Sequence, residues 1–270
     1  IMLGSIANGV TEVHGFLEGD DALATLEAFR AMGVNIEGPN NGHVKIHGVG
    51  INGLQKPQGD LYVGNAGTAM RLLSGLMAGQ KFSVTLTGDR SLTKRPMNRV
   101  ANPLREMSVI IDTADEGRPP MTIHGGTPTA IHYDMPMASA QVKSCLLLAG
   151  LYADGTTSVT EPAPTRDHTE RMLRGFGYVV QSKMHEGKNH ISLAGGGELN
   201  AITIDVPADI SSAAFFMVAA SIAPNSDITL QHVGINPTRD GIISILKLMG
   251  ADITLHNARE VGGEPVVDIQ

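Results

Sequence analysis

The chain has 270 residues, of which 42% are hydrophobic, and its formal net charge of −7 argues against nucleic acid as its main partner, because binding to a phosphate backbone relies on a basic surface. A single cysteine excludes an internal disulfide and a thiolate metal site, and no apolar run approaches the roughly 20 residues that span a bilayer. These properties predict a cytoplasmic protein of about two folded domains with no membrane segment.

The first predicted elements are a helical run at residues 1–9, a strand that contains Val10 and Val13, and a second helix that ends near Gly33. This order of elements recurs three more times. The later helical runs are centred near Met70, Leu146 and Phe216.

The second helix of every repeat ends at an equivalent position, occupied by Gly33, Ser108, Gly177 and Gly250 in turn. These positions lie 75, 69 and 73 residues apart. Each repeat reads as strand, helix, strand, helix, strand, strand, which predicts an α/β (α+β) fold of repeated βαβαββ units. Because a glycine often ends a helix in the left-handed conformation, Ser108 predicts a helix end without that cap.

The two ends of the sequence interrupt this pattern. Ile1 opens on a helix with no preceding strand, and the run at 261–270 stops inside a strand-like segment as the fourth repeat finishes. We interpret the sequence as a piece of a longer protein, and we expect the strand that completes the first repeat to lie outside it.

The segment from Gly64 to Arg71 carries the strongest functional signal of the chain. Small, loop-forming residues, including Asn65 and Gly67, lead directly into a helix with Thr68 in its first turn and Arg71 one turn in. Such a turn presents unpaired backbone N–H groups, a hydroxyl and a guanidinium to an anion. The segment predicts a phosphate or carboxylate site; the alternative is a well-capped helix with no ligand.

Six basic residues fall at helix starts or in the turns that lead to them, and together they predict a cationic pocket for a small anionic metabolite. The alternative for each is a solvated surface charge. They are Arg71, Lys94, Arg95, Arg99, Lys143 and Arg166.

No cofactor and no protein-bound metal are predicted. Cys145 lies among leucines at 146–148, where a buried, inert thiol is expected rather than a nucleophile. The ten histidines are scattered along the sequence without a closely spaced pair of metal ligands.

Six segments, in order and in spacing, resemble the 3-phosphoshikimate 1-carboxyvinyltransferase (EPSP synthase) family over essentially the whole chain. They are 64–71 (GNAGTAMR), 92–97 (LTKRPM), 138–144 (ASAQVKS), 165–170 (TRDHTE), 209–214 (DISSAA) and 236–241 (NPTRDG).

The resemblance implies two similar domains, each of three repeats around a pseudo-threefold axis, with substrates bound in the cleft between them. On this mapping residues 1–206 form a nearly complete first domain, and residues 207–270 form the first, truncated repeat of the second. The implied reaction transfers the enolpyruvyl group of phosphoenolpyruvate to the 5-hydroxyl of shikimate 3-phosphate and releases phosphate. The resemblance implies no cofactor and no metal, and we expect a monomer.

The resemblance also assigns site residues. Gly67, Arg95 and Gln141 correspond to phosphoenolpyruvate contacts, and Ser139, the backbone of Ala140, Gln141 and Arg166 correspond to contacts with shikimate 3-phosphate. The residues expected to support them are Asn65, Thr68, Arg71 and Lys143.

None of the family's acid–base residues lies in this sequence, so the chain alone is expected to lack turnover. Asp209, the one tempting substitute, is expected to be a helix N-cap. Family members that tolerate glyphosate can carry Ala where this chain has Gly67, so the whole protein is expected to be sensitive.

Two other functions remain open at this stage. The related enzyme that transfers enolpyruvyl to UDP-N-acetylglucosamine typically relies on a loop cysteine, whereas the one cysteine here, Cys145, lies in an apolar helix. The other is a non-catalytic phosphate-binding module built on the same repeat.

Overall fold

The computed structural model describes residues 1–270 and contains four successive repeats of the predicted kind. Repeat 1 contains α1 (Met2–Ser5), β1 (Asn8–His14), α2 (Asp20–Ala31), β2 (Asn35–Asn40) and β3 (His43–Val49). Repeat 2 contains β4 (Leu61–Tyr62), α3 (Gly67–Ala78), β5 (Ser83–Thr87), α4 (Asn98–Glu106), β6 (Ile110–Ala114) and β7 (Arg118–His124), with 3-10 turns at Leu92–Lys94 and Asp115–Gly117.

The other two repeats follow the same order of elements. Repeat 3 contains β8 (His132–Asp134), α5 (Ala140–Gly150), β9 (Thr156–Glu161), α6 (His168–Gly175), β10 (Gln181–His185) and β11 (Lys188–Ala194). Strand β12 (Thr203–Asp205) follows, and repeat 4 contains α7 (Ile210–Ile222), β13 (Leu230–Gly234), α8 (Gly241–Leu248), β14 (Leu255–Val261) and β15 (Glu264–Ile269).

Each repeat is centred on one sheet, and the sheets share one strand order. The orders are β12-β1-β3-β2, β4-β5-β7-β6, β8-β9-β11-β10 and β13-β15-β14. In the four-stranded sheets the first pair is parallel and the other pairs are antiparallel. The predicted α/β fold of βαβαββ repeats is therefore confirmed.

The first sheet is completed from within the chain, which corrects the expectation that its missing strand lies outside. Strand β12 runs parallel to β1, with Glu12 opposite Thr203 and His14 opposite Asp205. It occupies the edge position that β4 and β8 take in their own sheets. The sequence gives no hint of this pairing, because the two strands are far apart along the chain.

The helix ends at the four equivalent positions all take the left-handed conformation. The φ angles are +85° at Gly33, +65° at Ser108, +84° at Gly177 and +94° at Gly250. The prediction that the helix before Ser108 ends without a left-handed cap is wrong. The chain reverses direction at this helix end, where the amide of Ser108 donates to the carbonyl of Arg105 at 3.0 Å. This turn holds the serine in the left-handed conformation.

The largest hydrophobic core contains 48 buried residues and runs from Leu3 to Leu199, through repeats 1 to 3. Helices α3 and α5 cross at its centre, where Gly75 lies against the backbone carbonyl of Cys145. Cys145 is fully buried, and burial raises the pKa of its thiol far above the usual range. The expectation that Cys145 is buried is confirmed.

Repeat 4 has a separate core of eight buried residues, between Ile210 and Ile269. A polar contact joins it to repeat 3: the Asn236 amide donates to Asp167 at 2.7 Å and to Glu264 at 2.9 Å, and His168 bonds to Glu264 at 2.6 Å. No helix is both long and apolar enough to cross a membrane.

Candidate anion-binding site

The N-terminus of α3 is the centre of the candidate site. Strand β4 ends at Tyr62, Gly64 turns the chain with φ of +57°, and the amide of Ala66 bonds to the carbonyl of Val63 at 3.0 Å. The helix then starts at Gly67, and no side chain caps it. The amide of Gly67 donates to the carbonyl of Asn65 at 2.8 Å. The next amides, those of Thr68 and Ala69, are available to an anion, which the positive end of the helix dipole favours.

Asn65 and Asp89 hold Arg95 against this turn. The Asp89 carboxylate accepts hydrogen bonds from the backbone amides of Ser91 and Leu92, at 2.9 and 2.7 Å. It also accepts one from the side-chain amide of Asn65, at 2.7 Å. The Asn65 hydrogen bond is the main reason why the pKa of Asp89 is below its usual value. The oxygen of the same Asn65 amide accepts a short hydrogen bond from Arg95, so both guanidinium and turn are fixed by one side chain.

Gly67 leaves the space that two guanidinium groups use. A Cβ atom at this position would lie 3.0 Å from Arg95 Nη1 and 3.3 Å from Arg71 Nη1. The absence of a side chain therefore lets both cations approach the bare backbone at the helix start.

The site carries positive charge that no ion pair of the chain neutralises, although Asp89 is close enough to Arg95 for that cation to help lower the pKa of Asp89. Arg71, Arg95 and Arg99 take part in none of the molecule's ion pairs. Partial burial, together with repulsion from Arg95 and Arg99, lowers the pKa of Arg71. Three guanidinium groups close enough to repel one another at a helix N-terminus are a favourable arrangement for a multivalent anion.

Gln141 joins α5 to this group. Its Oε1 accepts from Arg71 at 2.9 Å, and its Nε2 donates to the hydroxyl of Thr68 at 2.8 Å. Ser139 is the N-cap of α5, and its hydroxyl accepts the amide of Val142 at 3.4 Å. Ala140, the first residue of α5, lies between Ser139 and Gln141, so the N-termini of α3 and α5 face a shared region.

Lys143, expected to support the site, lies elsewhere. It is fully buried, with Nζ 2.9 Å from Glu161 and 2.7 Å from Glu170, both of which are buried too. The turn of a helix explains this placement, because Lys143 follows Gln141 by two residues and so points to a different side of α5. Its ammonium holds α5 to β9 and α6 and does not contact the Gln141 group.

Arg166 is exposed on the turn between β9 and α6 and makes no hydrogen bond or ion pair. Helix α6 is linked to α5 by a hydrogen bond of 2.7 Å between the hydroxyls of Thr169 and Ser144. The structure thus brings together Asn65, Gly67, Thr68, Arg71, Arg95 and Gln141, with Ser139 and Ala140 beside them.

Sequence reasoning missed the role of Asp89, although an Asp two residues before Ser91 is a recognisable turn signal. Asp209 does occupy the N-cap position of α7, as expected. Its carboxylate, however, makes no capping hydrogen bond and pairs with Arg239 at 2.7 Å.

Comparison with known proteins places this arrangement in a family. The model of the family EPSP synthase (3-phosphoshikimate 1-carboxyvinyltransferase) matches residues 1–268. The chain is 66% identical over 272 residues to the 3-phosphoshikimate 1-carboxyvinyltransferase of Hydrogenovibrio crunogenus, covering 100% of this chain and 61% of that protein. The corresponding protein of Methylococcus capsulatus is 63% identical over 271 residues, covering 100% of this chain and 61% of that protein.

The fold agrees with this assignment. The EPSP synthase from Acinetobacter baumannii superimposes with a TM-score of 0.93 at 62% sequence identity, covering 99% of this chain and 60% of that chain. The chain thus spans about three fifths of the length of the curated relatives that it matches. By sequence and by fold, the chain belongs to the EPSP synthase family.

Proposed function

We propose that this chain is part of an enzyme that transfers the enolpyruvyl group of phosphoenolpyruvate to the 5-hydroxyl of shikimate 3-phosphate. The single observation that carries the proposal is the cluster of Arg71, Arg95 and Arg99 beside the start of α3, which has no ion pair and which Gln141 links to the start of α5. Both substrates are anions with a phosphate group, and the named relatives are 3-phosphoshikimate 1-carboxyvinyltransferases.

The resemblance to the EPSP synthase family suggests the roles of the residues, and the grouping of most of them supports these assignments. Arg95 holds an anionic group of phosphoenolpyruvate, Gly67 leaves room beside it, and Gln141 contacts both substrates. Ser139, the backbone N–H of Ala140 and Arg166 hold the phosphate of shikimate 3-phosphate.

In the reaction the 5-hydroxyl oxygen forms a bond to the enol carbon, and the bond from that carbon to the phosphate oxygen breaks. The methylene carbon gains a proton on the way and loses one again, and the hydroxyl proton is released. These proton transfers need an acid and a base poised by their surroundings. We assign neither role to any residue of this chain, and we expect no turnover from this chain alone.

The remaining two fifths of the relatives' length would complete the second domain. We propose that residues 1–206 form the first domain and residues 207–270 the first repeat of the second, consistent with their separate cores. On repeat 4, large apolar side chains are exposed, including Phe215 at 79% and Leu248 at 88%. Further repeats packed on this face would bury them.

The whole protein, as we propose it, is a cytoplasmic monomer that acts on small anions and binds no nucleic acid. The test measures phosphate release by the full-length enzyme from phosphoenolpyruvate with shikimate 3-phosphate, and separately with UDP-N-acetylglucosamine. We expect phosphate release with shikimate 3-phosphate as the acceptor and none with UDP-N-acetylglucosamine. Activity with the UDP-sugar, or saturable binding of phosphate compounds without turnover by the full-length protein, would contradict the proposal.

A second measurement concerns this chain itself. Calorimetric titration with shikimate 3-phosphate is expected to show weak, saturable binding that is lost in Gln141→Ala and Arg166→Ala and retained in Arg174→Ala, a control on the far end of α6. Binding that persists in the first two variants would contradict the assigned site.

A further inference from the structure

Three side chains with metal-binding atoms meet on the outer face of the first sheet. The ligand atoms of Glu12, His14 and His43 all lie within 4.8 Å of one another. The rings of His14 and His43 are stacked, with centroids 4.8 Å apart and planes inclined by 18°. This cluster lies outside the residues that we assign to the substrates.

The sheet register explains why the sequence did not predict it. Glu12 and His14 are two residues apart on β1, so they project from the same face. Strand β3 is antiparallel to β1 and pairs Val13 with Val44, which sets His43 beside His14. The expectation of no metal site rested on the scattered histidines, and a long-range pairing brings two of them together.

The backbone around the two histidines is held on both sides. Beyond the pair, the amide of Phe16 donates to the carbonyl of Gly42 at 2.8 Å and closes the ladder between the strands. On the other edge of β1, the amide of Val206 donates to the carbonyl of His14 at 2.8 Å. The side chains therefore start from fixed positions, which lowers the entropy lost when they converge on an ion.

The nitrogen atoms of this pair are less engaged than those of a second histidine pair in the molecule. His43 Nε2 is buried and has no hydrogen-bond partner. By contrast, the stacked His132 and His190 bond to hydroxyl groups: His132 Nδ1 to Ser158 at 2.8 Å and His190 Nδ1 to Thr160 at 3.3 Å. A carboxylate lies beside each pair: Glu12 belongs to the first cluster, and Asp134 lies 3.4 Å from His132 Nε2 in the second. What separates the pairs is that hydroxyl groups already occupy ring nitrogens of His132 and His190.

Glu12 is available as the third ligand. Its carboxylate pairs with Lys45 Nζ at 3.0 Å. Both side chains of that ion pair are 39% exposed. An exposed pair of this kind contributes little stability, so giving it up costs little.

We propose that Glu12, His14 and His43 form a binding site for a borderline divalent transition-metal ion of the Zn²⁺ and Ni²⁺ type. Two imidazoles and one carboxylate suit such ions, and water completes the coordination. Two ligand atoms that each lie about 2.0–2.1 Å from one ion are separated by no more than roughly 4.2 Å. The present ligand atoms lie within 4.8 Å of one another, so side-chain rotations that move them by about an ångström bring them into range. The bound ion links β1 to β3 and stabilises the sheet.

The test uses the purified protein, stripped with a chelator, and isothermal titration with Zn²⁺ and with Ni²⁺. We expect one saturable site, a rise in melting temperature with the ion, and selective NMR broadening of the His14 and His43 ring signals by Ni²⁺. His14→Ala and His43→Ala are each expected to weaken binding at least tenfold. The control, His132→Ala with His190→Ala, leaves affinity unchanged.

Lys45→Met sharpens the test, because it removes the cation that competes for Glu12 and is expected to tighten binding. His14 is exposed, so its replacement is compatible with a folded chain, and circular dichroism checks each variant. The proposal is overturned if no saturable site exists, if both histidine variants bind as the parent does, if the control pair loses binding equally, or if Lys45→Met weakens it.

Discussion

Arg71 and Gln141 lie 70 residues apart in the sequence, and their side chains share a hydrogen bond of 2.9 Å that joins the N-termini of α3 and α5. Replacement of Gln141 by Ala removes this bond and the one to Thr68. Because a hydrogen bond to a charged group contributes about 1.5–3 kcal/mol, we expect KM for both substrates of the full-length enzyme to rise about 10- to 100-fold.

Steady-state kinetics with each substrate varied in turn check this prediction. Gln141→Glu is expected to be worse than Gln141→Ala, because a carboxylate would neutralise the arginine cluster and repel the substrates. Gln181→Ala, on the exposed strand β10, serves as the control. Equal KM values in Gln141→Ala and the parent enzyme would contradict the assigned role.

Gly67→Ala places a methyl group 3.0 Å from Arg95 Nη1 and 3.3 Å from Arg71 Nη1. Both guanidinium groups must shift, so we expect KM for phosphoenolpyruvate to rise about tenfold, which corresponds to ~1.4 kcal/mol. KM for shikimate 3-phosphate changes much less. Gly126→Ala, where an added Cβ meets nothing within 4 Å, is the matched control; a parallel rise of both KM values would speak against a local effect.

Gly75→Ala tests the crossing of α3 and α5. An added Cβ would overlap the carbonyl oxygen of Cys145 and lie 2.8 Å from its carbonyl carbon. Alanine favours a helix by about 1 kcal/mol over glycine, but forcing the two backbones apart costs more, and we expect a net loss of about 3 kcal/mol or failure to fold. Urea denaturation measures it, with Gly241→Ala on the open surface of α8 as the control that loses no stability.

Ser108→Gly is expected to stabilise the protein. Ser108 is exposed and holds a φ of +65°, which only glycine adopts without strain. Removing the side chain relieves about 1–2 kcal/mol of backbone strain. It also removes the exposed hydrogen bond of 3.0 Å that Thr129 donates to the Ser108 hydroxyl, which contributes less. We therefore expect a net gain of about 1 kcal/mol in the free energy of unfolding. Thr129→Val measures the lost hydrogen bond separately; an unchanged or lower free energy of unfolding in Ser108→Gly would refute the prediction.

Glu170→Gln tests the buried cluster around Lys143, in which two carboxylates share one ammonium. Burial raises the pKa of Glu170 above its ordinary value of 4.5, so the folded state keeps a proton that the unfolded chain has lost. Stability from this residue is therefore present below pH 4.5 and is lost as the pH rises towards the raised pKa.

The glutamine variant does not ionise, so its stability relative to the parent is expected to grow as the pH rises from about 4 to about 7. Glu161→Gln is the contrasting variant, because Glu161 also accepts hydrogen bonds from Asn189, at 3.0 Å, and from Thr165. We expect it to destabilise the protein. Urea denaturation across this pH range would refute the account if Glu170→Gln lost stability at neutral pH.

The repeats, their helices and the turn at Gly64–Arg71 were predictable because they are local patterns: periodic apolar residues, small loop residues and helix-ending glycines. The prediction for Ser108 failed because the chain around it imposes the left-handed conformation of the other three helix ends, which a serine itself disfavours. The assignment of individual residues to substrates stays a prediction.

Other features depend on contacts between distant parts of the chain. The burial of Lys143 was not predictable from the sequence, since a lysine is rarely buried without partners. Its two partners, Glu161 on β9 and Glu170 on α6, come from different elements. The meeting of His14 with His43, and of β1 with β12, depends on strand register, which local patterns do not contain.

During synthesis, β1 is made before its parallel neighbour β12, and about 190 further residues are added between them. At typical ribosomal rates this takes roughly 10–40 s. Through this interval one edge of the first sheet stays unpaired, and an open edge can pair with other chains. This sheet is therefore finished long after its other three strands have been made, and the exposed edge of β1 is a site for aggregation through that interval.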